Sequence, residues 1–593
     1  MSVTSIIQSA VISALEQLFH QSFTSKDFQV NETKPEFEGD YTVVLFTLLK
    51  PLKQSPEQLG NILGKYLLDQ QPGLFSAYNV IKGFLNLTIS DQYWSEVLNQ
   101  NFENKIYGKK EGNGKKIVVE YSSPNTNKPL HLGHLRNNFL GWSIAEILKA
   151  EGYDVIKTCI SNDRGIHICK SMVAWQQFAN GATPESTGIK GDHFVGDYYV
   201  MFGDVYKKEI AVLVEKGMNK EEAEKEAPIM KAAQQMLIDW EAGKPEVIAL
   251  WKTMNSWVYS GFDITYKRIG SDFDKMYYES DTYLLGKKLV EDGLKKGIFI
   301  TKPDNSVWVD LTADGLDEKI VQRKDGTAVY ITQDIGLAVN KYEEFKYDQS
   351  IYVVGDEQNY HFKVLKLICE KLGLPSSDGI YHLSYGMVEL PTGRMKTREG
   401  TVVDADDIMD EMINVAAAKT AELGKVKDFS ESELRELYNI IGLGALKFFI
   451  LRVDPKKRMV FNPEESIDFH GFTASFVQFS HARAKAILRN EDADGNYIYK
   501  ETSPLLPLEK ALLIMLERYP QIISLAAADH NPSLLVNYCY ELAKTFNGFV
   551  TEHRVLKAES EDKKQLRLRI CRMTSNVLAS GLTLLGIKAP ERM

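Results

Sequence analysis

Two histidines three positions apart, with a glycine between them, place the strongest constraint on how this chain folds. The segment is His131-Leu132-Gly133-His134; it follows an apolar run (116–120) and a polar loop (121–130), and a helical pattern begins at Leu135. With 11 histidines and 41 glycines in 593 residues, about 0.014 matches to this spacing are expected by chance. The order predicts a strand, a loop and a helix that begins beside two imidazoles.

This arrangement suits a phosphate ligand. The N-terminus of a helix has partial positive charge and free N–H groups, which bind phosphate. His131 and His134 can donate hydrogen bonds to a phosphoryl group whose charge rises in the transition state, and Gly133 lets the backbone approach a nucleotide closely. The segment therefore predicts an ATP site for adenylate transfer. The alternative is two ordinary histidines whose hydrogen bonds are satisfied locally.

The bulk composition excludes several classes of protein. The chain is 44% hydrophobic and 25% charged, as in soluble globular proteins, and its length implies several domains. Five cysteines without a C-x-x-C pair predict no disulfide framework and no structural zinc. No leader pattern and no run of eighteen apolar residues occurs, so a cytoplasmic protein without a membrane segment is expected.

Hydrophobic periodicity divides the chain into four parts. Residues 1–110 predict an α+β domain with a helix over 6–19 and strands over 41–48 and 80–90. Residues 115–400 alternate apolar runs (117–120, 155–160, 351–354 and 381–388) with helical segments, which predicts a doubly wound parallel sheet with a helical insertion at about 180–280. We expect a connecting stem over 401–435 and an all-α helical bundle over 436–593.

At this point the residues resemble a known family. The run VEYSSPNTNKPLHLGHLRNN (119–138) resembles the signature of class I aminoacyl-tRNA synthetases, and of arginyl-tRNA synthetases in particular. The resemblance continues in order along almost the whole chain, in NDRGIHI (162–168), RKDGTAVYITQDIGLA (323–338), VVGDEQNYHF (353–362), YGMVELPTGRMKTREGTVV (385–403), FVQFSHAR (476–483), LAKTFNGF (542–549) and GLTLLGIKAPERM (581–593).

The resemblance implies a fold and an activity. The fold would be a Rossmann-like class I catalytic domain between an N-terminal tRNA-binding domain and a C-terminal anticodon-binding bundle. The enzyme would activate arginine with ATP and Mg²⁺ to arginyl-adenylate and transfer it to the 3′-terminal adenosine of tRNA(Arg). The family is usually monomeric, and we expect no dedicated protein metal site.

An arginine pocket must bind a guanidinium with five N–H donors, which favours carboxylates in forked hydrogen bonds. Glu120 ends a predicted strand, and Asp334 follows Tyr330 by four residues. By resemblance, both acids bind the guanidinium. The residues expected to hold the backbone groups of arginine or to pack on it are Ser123, Asn125, Tyr330 and Gln358. Ordinary loop-end or helix-capping roles are the alternative for these residues.

The ATP site of the family extends beyond the histidine segment. By resemblance, the nucleotide is bound by His131, Gly133, His134, Gly355, Gly386, Met387 and Val388. The last four would line the ribose and adenine. Turn glycines and core hydrophobic residues are the alternative interpretation.

A second phosphate-binding element is expected in RMKTREG (394–400). It departs from the class I Lys-Met-Ser-Lys-Ser pattern and lacks the second lysine. Lys396 and Arg398 would close on the β- and γ-phosphates, and Lys128 resembles the lysine that substitutes for the missing charge. Solvated surface charges are the alternative for each cation.

On the tRNA side, single-stranded bases are recognised by aromatic stacking and by hydrogen bonds to base edges. By resemblance, candidate contacts of the bundle are Phe476, Gln478, Phe479, His481, Arg483, Phe549 and Met593. In the N-terminal domain, Phe84 and Asn86 match the stretch that touches a D-loop base. Core packing is the alternative for the apolar residues.

Two other classes of function stay open from the residues. A noncatalytic tRNA-binding relative would not need His131, His134 and the paired acids. A synthetase for another amino acid leaves Glu120 and Asp334 together unexplained, and a simpler nucleotidylyltransferase would not need the helical bundle.

Overall fold

The computed structural model describes residues 2–593 apart from 284, 328, 390–402, 424–427, 469, 492–499 and 501–502. Its N-terminal part packs helices on a four-stranded antiparallel sheet of order β1-β2-β4-β3. The elements are α1 (Val3–Phe19), β1 (Gln29–Glu32), β2 (Tyr41–Val44), α2 (Phe46–Leu52), α3 (Pro56–Gln70), β3 (Phe75–Ile81), β4 (Phe84–Ile89) and α4 (Asp91–Asn101).

Two strand predictions in this part need correction. The strand predicted over 41–48 ends at Val44, where the chain turns into α2. The single strand predicted over 80–90 is a hairpin, because Lys82 and Gly83 both adopt positive φ (48° and 88°) and reverse the chain between β3 and β4. A two-residue turn of this hand matches the twist of the strands it joins.

The central sheet has five parallel strands in the order β12-β11-β5-β6-β7, which confirms the doubly wound fold. The chain builds outward from β5 on one side and then returns to β11 on the other. Ligands bind at such a switch point, beyond the carboxyl ends of the strands. The elements are β5 (Lys116–Glu120), α5 (Leu132–Ala150), β6 (Asp154–Ser161), α6 (Ile166–Phe178), β7 (Lys275–Tyr278), α14 (Tyr330–Phe345), β11 (Gln349–Gly355), α15 (Asn359–Leu372), β12 (Ile380–Tyr385) and β13 (Val388–Glu389).

Two segments interrupt the sheet. The predicted helical insertion lies between β6 and β7 and contains α7 (Pro184–Thr187), α8 (Gly191–Glu215), α9 (Lys220–Glu226), α10 (Pro228–Glu241) and α11 (Pro245–Ile269). The second segment contains α12 (Glu279–Thr282), α13 (Lys287–Lys295) and a small antiparallel sheet of β8 (Phe299–Thr301), β9 (Val307–Val309) and β10 (Lys319–Gln322). Its strands have only three or four residues, too few for their periodicity to be recognised.

The described residues from 403 to the end of the chain are almost entirely helical, as predicted. They comprise α16 (Ala405–Leu423), α17 (Glu431–Leu451), β14 (Met459–Val460), α18 (Pro463–Ser466), α19 (Ala474–Asn490), α20 (Pro507–Ala528), α21 (Ser533–Glu552) and α22 (Glu561–Leu584). Among the described helices, α20 alone is long and apolar enough to cross a membrane. It packs as a core helix, because its fully buried Glu509 pairs with Lys563 and Arg567 of α22.

Candidate active site

The two histidines form the cap of α5. His131 is the N-cap residue; its Nδ1 accepts a hydrogen bond from the Gly133 N–H (3.1 Å), and its own N–H donates to His134 Nδ1 (3.1 Å). The ring centroids lie 3.9 Å apart. Because both Nδ1 atoms accept backbone hydrogen bonds, the proton of each neutral imidazole is on Nε2. Each ring therefore offers one fixed N–H donor.

Burial keeps these rings neutral. It lowers the pKa of His131 to about 3, with the nearby Lys128 ammonium adding to the shift. Burial also holds the pKa of His134 well below its usual range, helped by His131 and Lys128, and it lowers the pKa of Lys128. Neutral imidazoles are hydrogen-bond donors that need no proton transfer, as charge stabilisation at a phosphate requires.

The loop before the helix is held in a strained conformation. Ser122 and Ser123 both adopt positive φ (77° and 47°), a region that residues other than glycine rarely occupy. The Ser122 N–H donates to Asn137 Oδ1 (2.5 Å), and Ser122 Oγ accepts from Asn138 Nδ2 (3.1 Å) and bonds to the Tyr266 hydroxyl (2.7 Å). Such strain persists only where the surroundings enforce it, and it is common at functional sites.

The same loop is joined to the end of β6. Asn125 forms a parallel bridge with Asn162, whose N–H donates to the Pro124 carbonyl (2.9 Å) and whose carbonyl accepts from the Thr126 N–H (3.1 Å). Ser123 is half-buried and Asn125 is exposed. Both predicted arginine contacts therefore lie at the carboxyl edge of the sheet, next to the histidine segment.

A cavity of about 550 Å³ lies beyond the ends of β6 and β7, beside the first turn of α14. Tyr330, a predicted arginine contact, lines it and is 73% exposed. Arg164 lies over the Tyr283 ring (3.8 Å to the centroid) and forms an ion pair with Glu241 (3.0 Å) in the cavity wall. The other charged or polar residues of the lining are Glu279, Gln322, Arg323, Asp325, Thr327, Thr332 and Gln333.

Two carboxylates lie near each other here: Glu279 lines the cavity, whereas Asp334 acts electrostatically on Glu279 but is not among the lining residues. Glu279 follows β7 directly, and burial raises its pKa to about 7; Arg164 opposes this shift, whereas Asp163 and Asp334 add to it. Asp334, in the first turns of α14, is bonded to His361 Nε2 (2.6 Å). The sequence analysis missed Glu279. The pattern that could have predicted Glu279 is an acid at the carboxyl end of a parallel strand, the same position that Glu120 occupies.

Glu120 has a different partner from the one predicted. Its buried carboxylate pairs with Lys341 of α14, which is fully buried and lies over the Tyr352 ring (4.6 Å). Glu120 is not among the residues that line the 550 Å³ cavity. A substrate guanidinium would have to share this carboxylate with Lys341, and the role of Glu120 stays a prediction.

The predicted adenine-binding residues come together at the ends of β11 and β12. A Cβ added to Gly355 would lie 3.3 Å from Met387 Sδ, so these two residues face each other. A Cβ at Gly386 would lie 2.6 Å from the Arg458 backbone nitrogen, a contact that only glycine avoids. Val388 is buried in β13, and Gln358 is exposed just after Gly355.

The second phosphate element, with Lys396 and Arg398, lies outside the described residues. The segment that follows it is described and contacts the histidine segment. The Leu132 N–H donates to the Val403 carbonyl (3.2 Å), the Ala405 N–H donates to the Leu130 carbonyl (2.9 Å), and His131 bridges with Asp404. The described segment that begins at Val403 is thus fixed beside His131.

An ion-pair network joins this segment to the helical insertion. Asp406 accepts from Lys190 Nζ (2.6 Å), from Arg268 Nη1 (2.9 Å) and from His193 Nε2 (3.3 Å). Burial alone would raise the pKa of Asp406, but its bonds to His193 and Lys190 hold it well below its usual range. Donor atoms of Asp192, His193 and Asp406 lie within 4.8 Å of one another, yet Lys190 Nζ already bonds both carboxylates, so an ammonium fills the place of a metal ion.

The predicted anticodon contacts on α19 differ in exposure. Gln478 is fully buried, and its Nε2 donates to the Lys588 (2.9 Å) and Ile440 (3.2 Å) carbonyls. His481 is buried against the Pro590 carbonyl (3.0 Å). The remaining candidates are half-buried Phe476, Phe479, Arg483 and Met593 and fully buried Phe549. Arg483 is charged and partly exposed, so it stays a candidate for a tRNA contact on this helix. Its Nη1 donates to Asn547 Oδ1 (3.2 Å).

The two candidates of the N-terminal part also differ. Phe84 is 36% exposed and packs edge-on against the exposed Phe46 ring (centroids 5.3 Å apart). Asn86 is buried; it accepts from the Thr42 hydroxyl (2.6 Å) and donates to Asn79 Oδ1 (2.8 Å). The aromatic pair is therefore a surface feature, whereas Asn86 is held inside the sheet.

Family models match most of the chain. They describe the arginyl tRNA synthetase N-terminal domain over residues 5–89, the catalytic domain of class I (R) tRNA synthetases over 96–462 and the DALR anticodon-binding domain over 477–593. The three matches lie in the order of the α+β part, the parallel sheet and the helical bundle.

Similar proteins agree with these matches. The chain is 52% identical over 606 residues to the arginine–tRNA ligase of Flavobacterium psychrophilum and 50% identical over 598 residues to that of Bacteroides thetaiotaomicron, with 100% of both chains covered in each case. The arginyl-tRNA synthetase structure of Thermus thermophilus has a TM-score of 0.79 at 24% identity, with full coverage of both chains. That of Plasmodium falciparum has a TM-score of 0.76 at 17% identity, covering 100% of this chain and 99% of the other. These two structures share the fold.

Proposed function

The chain belongs to the arginyl-tRNA synthetase family of class I tRNA synthetases, and from this premise we propose how it works as an arginine–tRNA ligase. Arginine reacts with ATP to give arginyl-adenylate and pyrophosphate. The arginyl group then passes to the 3′-terminal adenosine of tRNA(Arg), and AMP leaves. The observation that carries the proposal is the pair of neutral histidines at the cap of α5, in a segment whose preceding loop is bridged to the end of β6, next to the cavity that Glu279 lines.

In the first step, an oxygen of the arginine carboxylate attacks the α-phosphorus, and the bond to the pyrophosphate oxygen breaks. His131 and His134 donate Nε2–H bonds to the phosphate oxygens as charge accumulates on them, and the N-terminus of α5 adds its free N–H groups. No general base is needed, because the attacking carboxylate is already ionised. Alignment and charge stabilisation supply the catalysis.

Arginine binds with its guanidinium towards Glu279 and Asp334, and its aliphatic stem packs against the exposed Tyr330 ring. This orientation is supported by Glu279 in the cavity lining, by the nearby Asp334, and by the strained loop, where Ser123 and Asn125 would bind the α-amino group. Gln358 would contact the backbone of the substrate. Glu120, whose buried carboxylate pairs with Lys341, would contribute its negative charge to the arginine pocket from the protein interior.

ATP lies across the switch point of the sheet. Its adenine and ribose contact Gly355, Gly386, Met387 and Val388, a role supported by the close approach of Gly355 to Met387. Lys128, Lys396 and Arg398 neutralise the departing pyrophosphate. We propose that Mg²⁺ arrives with the phosphates of ATP, since this ion usually binds substrate phosphates together with few protein ligands.

For the tRNA, we propose that Phe84, on the surface of the N-terminal part, stacks on a base, and that Arg483 and Met593 face the anticodon. Gln478 and Asn86 would support these surfaces from within, since their amides are already bonded inside the protein. We further propose that the enzyme acts as a monomer in the cytoplasm.

The test is a charging assay with each of the twenty amino acids, purified tRNA(Arg) and ATP. We expect arginine alone to be esterified to the tRNA, with AMP and pyrophosphate as products; lysine, the other long cationic amino acid, serves as the matched control. Charging with a different amino acid would refute the arginine pocket. Tight tRNA binding without charging of any amino acid would identify a noncatalytic relative.

A further inference from the structure

A second cavity, of about 480 Å³, lies at the junction of the catalytic part and the helical bundle. It is bounded by Trp142 of α5, the C-terminal end of α11, the middle of α17 and the turn after α22. Trp142 is eleven residues along α5 from the cap residue His131, about 16 Å at the rise of an α-helix. The cavity has the size of a small-molecule site and is separate from the proposed active site.

A lysine side chain is buried in its wall. Lys447 is 8% exposed, and its Nζ donates to the Gly586 carbonyl. In the part of the chain that the structure describes, no carboxylate lies within 4 Å of this ammonium. Burial, and to a smaller extent the neighbouring Lys588 ammonium, lower the pKa of Lys447 to about 8.

This arrangement is unusual, because buried charges are normally paired. An ammonium has three N–H donors, and the Gly586 carbonyl takes one of them. Glu436, the acidic residue in the cavity lining, pairs with Lys588 (3.0 Å), and the lining cation Arg268 pairs with Asp406 outside the lining (2.9 Å). The cavity therefore has an excess of positive charge in its wall.

The other walls are apolar and partly aromatic. Trp142 and Leu443 are half-buried beside the cavity, and Ile587 is buried. Lys267 is exposed at the rim. We propose that this cavity binds a small organic anion, with its charged group on Lys447 and its flat apolar part against Trp142. An occupant there would touch both the helix that begins at the active site and the helices of the bundle.

The test uses 8-anilinonaphthalene-1-sulfonate, which joins a sulfonate to an apolar aromatic body, with the uncharged N-phenyl-1-naphthylamine as its matched probe. Fluorescence titrations are made on the full chain with arginine and ATP at saturation, so that the active site is occupied. We expect one saturable site for the sulfonate. Lys447→Met should weaken it at least about tenfold, the loss expected for one hydrogen bond to a charged group. Lys252→Met, which removes an exposed lysine from α11, should leave it unchanged.

A thermal melt separates ligand binding from a purely structural role. Lys447 also bonds the carbonyl of Gly586 at the end of α22, so a capping role alone predicts a lower melting temperature for Lys447→Met and normal binding of the sulfonate. That result would overturn the proposal, as would equal binding of the uncharged probe or displacement by ATP and arginine. If the variant does not fold, soaked crystals of the unaltered protein decide: density beside Trp142 and Lys447 supports the site, and density elsewhere refutes it.

Discussion

The histidine segment (131–134) and helix α19 both contain polar side chains with buried atoms. In the segment these side chains point towards the proposed active site, whereas on α19 they point into the bundle. In the histidine segment, the Nδ1 atoms of His131 and His134 accept bonds from the backbone and fix the rings. Among the described residues no hydrogen bond from their Nε2–H groups is found, and we propose that these groups bind the ligand. On α19, the amide of Gln478 and the ring of His481 bond to the C-terminal segment of the chain. These groups hold the bundle together.

The difference predicts how substitutions divide between activity and stability. A ring that is fixed from behind can be removed with a large loss of catalysis and a small loss of stability, because its exposed atom contacts only the substrate. A side chain that bonds inward to two carbonyls should show the reverse.

The largest effect is expected for His134→Ala. Loss of one donor to the transition state should lower kcat for arginine activation about 10²- to 10³-fold, while the Kd for tRNA changes little. The melting temperature should fall only slightly, because one capping bond is worth about 1 kcal/mol. The measurements are tRNA-dependent pyrophosphate exchange and tRNA binding. His134→Asn is the matched control for the cap, since its amide oxygen can still accept a bond from the His131 N–H. An equal loss of tRNA binding and kcat would show that the ring only supports the fold.

The next effect is expected for Glu279→Gln. Removal of this charge should raise the KM for arginine about 10- to 100-fold, the range for a hydrogen bond to a charged group, with little change in the KM for ATP. Asp334→Asn, at the other proposed carboxylate, should behave alike. If both KM values rise together, the guanidinium does not bind here.

The same residue gives the arginine affinity a pH dependence. The pKa of Glu279 is raised to about 7 in the empty site, and the cationic substrate binds the ionised carboxylate. Affinity should therefore rise from pH 6 to pH 8 and level off above the pKa, with about a tenth of the carboxylate ionised at pH 6. The dependence should be flat in Glu279→Gln. An unchanged slope in this variant would assign the titration to another group.

The sequence predicts the structure of these two regions to different extents. The cap geometry of His131 and His134 follows from a spacing of three at a helix start, which is a local property. The inward direction of Gln478 depends on a carbonyl 110 positions away, at Lys588, and no local pattern contains that contact. Glu279 was missed for a third reason. Its environment is made by burial, by Arg164 in the loop after β6 and by Asp334 in α14, so only the folded sheet distinguishes it from neighbouring acids.

The smallest effect is expected for Arg483→Ala. Its comparison with Gln478→Ala tests whether Arg483 faces the tRNA while Gln478 faces the interior of the bundle. Arg483 is half-buried, and its side chain is bonded to Asn547. Because we propose that its exposed part contacts the anticodon, Arg483→Ala should raise the KM for tRNA about fivefold, the loss for one contact of about 1 kcal/mol. The melting temperature and the KM for ATP should stay unchanged in Arg483→Ala. Gln478→Ala should instead cost about 1–3 kcal/mol of unfolding free energy, because it removes the two hydrogen bonds that this fully buried amide donates. Its KM for tRNA should change less than that of Arg483→Ala. A reversed pattern would place Gln478 at the tRNA surface and Arg483 in the core, which would refute the assignment of the two directions.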